Sequence, residues 1–297
     1  MNWVPLLFID AVCHRLRKPE FNQVTQLSGS WSKFGAEHGE KRREFDFRCE
    51  LYGNQDVYYS LGGSDWPFRE VTVADLNLEF DRITDLAFES ASSNNPGVYR
   101  RVNRVSLREF ESVVLPTIAA LVTNCCFAPK RSAQNRIFFN AFKNCPGFNS
   151  IRVEEQGEES RHFIACQVRL GNVHTLTLSG TGKWPEAEKL TETLKIFVSS
   201  ARFHELISSD FLPNDYKLFE LFLERALAKE LKRGACISAS GTNLDKNRLL
   251  SLHPDCRHNS ERDAWRIPDS NLRIALCHYS DMLCVRVEYS GPLNMTL

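Results

Sequence analysis

Apolar residues at the start of the chain recur at the spacing of an α-helix. Phe8, Val12 and Leu16 follow one another every four residues, behind a proline at position 5. Proline is tolerated in the first turn of a helix because the N–H that it lacks has no partner there. The pattern predicts one short helix here and two more in the rest of residues 4–34, after a second proline and a Ser-Gly-Ser bend.

Three helices of this size make a small structural unit. A helix of three turns is marginal by itself in water, and a unit of about 40 residues rarely buries a sufficient core. The sequence therefore predicts that the apolar surface of residues 1–40 contacts a partner.

The order of the apolar residues resembles that of an F-box, and the opening residues 1–12 are similar to the large nematode-expanded family of F-box-like proteins. In that family the helices dock on the Skp-type adaptor of a cullin-RING ubiquitin ligase. The resemblance implies that these positions bind the adaptor, and through it a cullin, while the C-terminal region binds a protein target. The positions are Pro5, Leu7, Ile9, Val12, Leu16, Phe21, Leu27 and Trp31.

The sequence departs from the F-box pattern in three places. Leu6-Leu7 replaces the acidic residue that is common after the first proline, and Pro19-Glu20 replaces an acidic residue and leucine. Gly29 lies just before the tryptophan helix, where a charged residue is common. The alternative interpretation is a helical hairpin that packs on the body of the protein.

Composition indicates an intracellular globular protein. The 297 residues include 37 basic and 37 acidic side chains, and 42% are hydrophobic. Zero net charge favours neither nucleic acid nor an anionic membrane as a partner. The ten cysteines are scattered, and no basic segment precedes the first apolar stretch as in a secretory signal. We therefore predict free thiols and a cytoplasmic or nuclear location.

The uncharged segment 112–129 is long enough to be compared with a membrane span. It contains a proline and polar residues, and a capping box at Ser106 and Glu109 begins a helix just before it. We interpret the segment as a buried core helix.

The remainder of the chain alternates short strands with helices. Residues 45–49 and 57–59 predict a hairpin, as do residues 272–289. Strand patterns at 151–153, 174–178, 203–207 and 236–238 are separated by helices that begin near Pro185 and Asn214. This order resembles a degenerate leucine-rich-repeat array. The predicted organisation is an F-box-like unit over residues 1–40 and one mixed α/β domain over residues 41–297.

No motif predicts catalysis, a metal or a cofactor. Gly180 to Trp184 has glycines and a lysine but lacks the first glycine and the hydroxyl of a phosphate-binding loop. His253, Cys256 and His258 match no zinc spacing. The acidic residues around Gly157 are interpreted as a solvated turn.

Three classes of function stay open on the sequence. The first is a non-enzymatic substrate receptor of a Skp-cullin-F-box ligase, in the ubiquitin-like conjugation pathway. The second is a scaffold protein whose F-box-like segment has drifted and binds no ligase. The third is an enzyme on an α/β scaffold, which fold class alone does not exclude.

Overall fold

The computed structural model has a mixed α/β fold, as the sequence predicts. Contacts between residues divide the chain into two compact units, Met1–Asn149 and Ser150–Leu297. The predicted boundary near residue 40 lies within the first unit, and an independent domain over residues 1–40 stays a prediction. The structure describes residues 4–52, 56–63, 71–90, 103–129, 132, 134–180, 187–209, 216–240, 248–249, 251–252, 256–259, 262–266, 270–279 and 282–289.

Short helices form the start of the first unit, where the sequence predicts them. They are α1 (Leu6–Cys13), α2 (Phe21–Val24), which a 3₁₀ turn at Lys18–Glu20 precedes, and α3 (Ser30–Lys41). The carbonyl of Pro5 accepts hydrogen bonds from the N–H groups of Phe8 and Ile9, at 2.9 and 3.2 Å. Gly29 begins α3 with φ +68° and ψ −136°. Because this conformation strains residues with a Cβ, glycine explains the bend between α2 and α3.

The helices share a small apolar core of their own. Its buried members are Ile9, Cys13, Phe21 and Val24, and Val4, Leu16, Trp31 and Phe34 pack around them. A Cβ on Gly35 would lie 2.7 Å from Cγ1 of Val24. Glycine at this position therefore allows α2 and α3 to approach closely.

The sheet of the first unit has five strands in the order β5-β3-β1-β2-β4. They are β1 (Arg43–Tyr52), β2 (Asp56–Gly62), β3 (Asp81–Ser90), β4 (Asn103–Ser106) and β5 (Val122–Phe127). β1 is antiparallel to β2 and parallel to β3, so the predicted first hairpin is confirmed. Its turn, residues 53–55, lies outside the described residues.

The uncharged segment 112–129 is only partly helical. Ser106 accepts a hydrogen bond from the N–H of Glu109, as the capping box predicts, and begins α4 (Leu107–Glu109). A π turn (Phe110–Val114) then leads into α5 (Leu115–Leu121). The N–H of Leu115 donates to the carbonyl of Phe110, five residues back. This wider turn accommodates Pro116, which cannot donate and whose ring would collide with the carbonyl four residues before it.

The prediction of a core helix through residue 129 is wrong in its second half. Residues 122–127 form β5, which pairs in parallel with β3. The β-branched pair Val122-Thr123 favours a strand. The local sequence pattern does not distinguish a helix from a strand here, and pairing with a neighbouring strand selects the strand. No helix within the described ranges is long and apolar enough to cross a membrane.

The strand–helix array predicted after residue 150 is present. β6 (Phe148–Glu154) begins before the boundary between the units, and β7, β8 and β9 follow it in parallel with a helix between each pair. The predicted closing hairpin is confirmed as β12 and β13. Helix α6 (Asn135–Phe142) belongs to the first unit. The remaining elements are α7 (Glu158–Leu170), β7 (Thr175–Ser179), α8 (Ala187–Ser199), β8 (Glu205–Ser209), α9 (Tyr216–Leu227), β9 (Cys236–Ser240), β10 (Cys256–Asn259), β11 (Arg262–Arg266), β12 (Leu272–Tyr279) and β13 (Met282–Tyr289).

All three helices of this array lie on one face of its sheet. β6 to β9 are neighbours in chain order, and right-handed crossovers between successive parallel strands place their helices on the same side. Leu176, Leu206 and Ile237 are fully buried beneath the helices. None of the crossover helices that the structure describes lies on the other face of β6 to β9.

Candidate functional site

The eight residues that resemble an F-box differ in how far they are exposed. Pro5, Leu7 and Leu27 are exposed, whereas Ile9 and Phe21 are buried in the core of the helices. The other three, Val12, Leu16 and Trp31, are half-buried. Only the exposed and half-buried side chains can contact another protein directly, so Ile9 and Phe21 can support docking only by holding the helices together.

Three consecutive large apolar side chains are exposed on α1. Leu6, Leu7 and Phe8 are 55%, 83% and 55% exposed, and we name them the apolar run. Phe8 belongs to the helical apolar pattern of the sequence, but the buried face of α1 is centred on Ile9 and Cys13. The rings of Phe8 and Trp31 are arranged edge to face, at 6.4 Å between centroids.

Side chains from the rest of the first unit hold the carboxyl end of α1. Arg42 donates to the carbonyl of Cys13 at 2.7 Å, and Arg82 donates to the carbonyl of His14 at 3.2 Å. Carbonyls at the end of a helix have no partner within the helix. These two bonds therefore satisfy the last carbonyl of α1 and the carbonyl of the next residue, and they fix the end of the helix in place.

A bulge in β5 provides a third attachment. Asn124 has φ +49°, a left-handed conformation that asparagine tolerates better than most residues. Its side-chain amide donates to the carbonyl of Arg15 at 3.0 Å, and its own carbonyl accepts from Arg17 at 2.6 Å. The apolar run is thus presented on a helix whose far end is fixed by three side chains.

Asp10, His14 and His38 form a cluster whose possible metal-ligand atoms lie within 4.8 Å of one another. One carboxylate and two imidazoles are a ligand set that divalent metals use. However, Nη2 of Arg42 lies 3.2 Å from Nδ1 of His38, and a guanidinium can only donate. The proton of His38 must then be on Nε2, where it donates to Asp10 at 3.0 Å. Because a metal would need the lone pair of Nε2, the cluster fits a hydrogen-bond network better than a metal site.

Two buried arginines stand beside this network. Burial lowers the pKa of Arg42, and burial lowers the pKa of Arg82 to about 10. The guanidinium group of Arg82 therefore stays charged at neutral pH. The Asp10 carboxylate acts on both as a nearby negative charge. We conclude that the cluster joins α1 and α3 to the sheet of the first unit.

The uncovered face of β6 to β9 carries small hydroxyl side chains between charged ones. Pairing between the strands sets Ser150 beside Thr175 and Arg152 beside Thr177. Thr175 is in turn beside Glu205. These side chains are half-buried or exposed, so a protein partner could reach the part of this face that β6, β7 and the start of β8 form. On β9, Cys236 and Ser238 of the same face are buried.

Two thiols lie together on the sheet of the second unit. Cys236 lies 3.3 Å from a carboxylate oxygen of Glu205 and is hydrogen-bonded to Cys284. Donation from Cys236 and from Ser238, with the positive charge of Arg286 nearby, lowers the pKa of Cys284. The same hydrogen bond and burial raise the pKa of Cys236, so the shared proton resides there.

A thiol whose pKa is lowered can act as a nucleophile, but a substrate has little access to this thiol pair. Cys236 and Cys284 are 1% and 2% exposed, which leaves a substrate no approach to either sulfur. All cysteines whose side chains are described are free thiols, and burial raises the pKa of Cys145 to about 11. The sequence does not reveal the pair, because its members lie 48 positions apart and meet only through strand pairing.

Other motifs fall partly or wholly outside the described residues. These are the loop at 181–186, His253, and the side chains of Cys256 and His258. The acidic residues near Gly157 include Glu158 and Glu159, which lie in the first turn of α7, where negative charge stabilises the helix dipole. The interpretation of all of them as a solvated turn is therefore incomplete.

Comparison with known proteins assigns no family. The chain matches no protein-family model, and no curated protein matches it either.

Proposed function

We propose that this chain is a non-enzymatic substrate-receptor subunit of a Skp-cullin-F-box ubiquitin ligase. The observation that carries the proposal is the apolar run Leu6, Leu7 and Phe8 on α1. Contiguous apolar side chains on a protein surface mark contact sites for other proteins. The F-box resemblance, which begins at the same helix, supports a Skp-type adaptor as the protein that covers them.

The apolar run offers enough surface for a stable contact. Full burial of each of its side chains is worth about 1.5–3 kcal/mol. Leu27, another exposed F-box-like position, could add a similar amount. After the cost of association, these side chains alone support binding of at most about micromolar affinity.

The way α1 is fixed also supports docking. Arg42, Arg82 and Asn124 each bond to a carbonyl at its carboxyl end, so the helix does not have to be ordered on binding. A binding surface that is already ordered loses less entropy when its partner arrives.

For the target, we propose the uncovered face of β6 to β9 as a degenerate leucine-rich-repeat-like surface. Its hydroxyl and charged side chains can form hydrogen bonds with a protein, and the helices on the opposite face give the sheet a rigid support. The proposed ligase would act in the cytoplasm or nucleus. A scaffold protein with a drifted F-box remains the alternative.

Reconstitution tests the proposal. The purified full chain is mixed with a recombinant Skp-type adaptor and the adaptor-binding part of a cullin, and the mixture is separated by size exclusion. We expect one complex with equal amounts of all three proteins. If the chain elutes alone while adaptor and cullin elute together, the ligase proposal fails and the scaffold alternative replaces it.

A further inference from the structure

Basic side chains collect at the amino ends of three neighbouring strands in the second unit. His174 immediately precedes β7, and His204 immediately precedes β8. Arg202 lies in the turn before β8, and Lys232 lies in the turn before β9. All four side chains are exposed, and we name them the basic rim.

Backbone bonds show that the turns lie side by side. The carbonyl of His174 accepts hydrogen bonds from the N–H groups of His204 and Glu205, both at 3.0 Å. The carbonyl of His204 in turn accepts from the N–H of Cys236 at 2.9 Å. The three turns therefore form one continuous edge of the sheet.

The charges of the basic rim act on one another. The pKa of His174 is lowered, first by partial burial and then by the positive charges of Arg202, His204 and Lys232. All three charged groups that shift it are cationic. The rim is thus a region of positive electrostatic potential, in which the basic side chains repel one another.

Nearby acidic side chains are occupied elsewhere. A carboxylate oxygen of Glu205 lies 3.3 Å from the sulfur of Cys236, and Glu230 pairs with Arg225 at 2.8 Å. Arg202 donates to a neutral partner, the side-chain oxygen of Asn172, at 2.9 Å. Among the described residues, these contacts hold the two carboxylates on partners outside the rim.

The dipoles of the neighbouring helices do not account for the rim. Basic residues stabilise the last turn of a helix, which explains Arg169 in α7 and Arg225 in α9. That effect fades beyond the last turn. His174 lies four positions after the end of α7, and Lys232 lies five positions after the end of α9.

We infer that the basic rim binds an acidic peptide segment of a protein partner, which, on the proposed function, is the target of the ligase. Neighbouring strands are about 4.8 Å apart, so three strand ends span about 10 Å. An extended peptide covers that distance with about three residues. The rim can therefore contact a short run of Asp or Glu side chains.

A peptide fits the rim better than a nucleic acid does. Single-stranded nucleic acids are held by exposed aromatic side chains on which bases stack. The aromatic residue in this edge, Phe203, is buried and packs against Phe197 and Phe222.

The test uses the full chain and a fluorescent octaglutamate peptide, with octaglutamine and oligouridine as comparison probes. Arg202→Gln combined with Lys232→Gln removes two rim charges. The control, Lys189→Gln combined with Lys217→Gln, removes two charges from exposed positions near the beginnings of α8 and α9. Both double variants therefore have the same net charge.

We expect octaglutamate to bind at low ionic strength, octaglutamine not to bind, and the rim variant to lose about tenfold in affinity. The control should bind as the wild type does. NMR titration should show that octaglutamate raises the pKa of His174, because negative charge offsets its cationic neighbours Arg202, His204 and Lys232. Affinity should then increase as the pH falls through the range in which histidine gains its proton.

Equal losses in both double variants, or no binding of octaglutamate, would overturn the inference. Tighter binding of oligouridine than of octaglutamate would also overturn it, in favour of RNA. The rim variant should still join the complex with adaptor and cullin. A rim that binds octaglutamate in a chain that does not bind the adaptor would leave this inference standing and remove only the proposed function.

Discussion

Replacing Gly147 with alanine should lower the free energy of unfolding by about 3 kcal/mol or more. A Cβ at this position would lie 2.0 Å from the carbonyl oxygen of Val122, far inside any contact that atoms tolerate. That oxygen belongs to the backbone at the start of β5, so it cannot rotate away as a side chain would. The carbonyl of Gly147 also accepts from the N–H of Cys125 at 2.9 Å, which holds the two segments together.

Gly171 provides a matched control for this prediction. It ends α7 with φ +70°, and a Cβ there would meet no atom within 4 Å. Gly171→Ala should cost only about 1 kcal/mol, the price of the left-handed conformation. Urea unfolding of both variants measures the difference. Equal losses would mean that the close approach of Gly147 to Val122 does not exist in solution.

Leu7→Asp combined with Phe8→Asp should weaken adaptor binding by about 100-fold or more. Each side chain is worth about 1.5–3 kcal/mol when it is buried in an interface, and about 1.4 kcal/mol changes an affinity tenfold. Two carboxylates in an apolar contact would add a desolvation cost. Since both side chains are more than half exposed, the variant should remain folded.

Leu78→Asp is the control for an apolar-to-acidic change on the same unit. Leu78 is 62% exposed and lies outside the N-terminal helices. Titration calorimetry with the adaptor should give the wild-type affinity for this variant. If the double variant binds as tightly as the wild type, the apolar run is not the docking surface, whatever the chain binds elsewhere.

Periodic patterns predicted most of the regular structure. The strands β6 to β9 and the helices between them were found because alternation in strands and four-residue spacing in helices are local properties of the sequence. In α8, Leu190, Leu194 and Val198 recur every four residues, and all three are buried. The order of strand and helix then determines the parallel pairing and the face that the helices cover.

Polar contacts between distant segments could not be predicted. Arg42 looks like any basic residue in a charged stretch, yet it is almost fully buried and bonds to α1, 29 positions away. Nothing in the spacing of Asp10, His14 and His38 distinguishes a metal cluster from a hydrogen-bond network. The contact of Arg42 with Nδ1 of His38 decides between them, and that contact exists only in the folded chain.

The sequence pattern also could not predict which face α1 buries. Leu6, Leu7, Phe8, Ile9 and Val12 are all apolar, so the helix has more apolar surface than one inward face requires. Packing against α2 and α3 selects Ile9 and Cys13 and leaves the apolar run outside. An excess of apolar surface could be predicted, but which residues form it could not.

Hydrogen exchange of the full chain with and without the adaptor tests the docking proposal most directly, because it locates the contact without changing the sequence. Docking should suppress the local opening of the covered helix and so slow exchange of its amides. The account predicts slower exchange in residues 6–13 and around Leu27, and unchanged exchange in residues 150–297. Unchanged exchange throughout residues 6–31 at saturating adaptor, or slower exchange confined to residues 150–297, would contradict it.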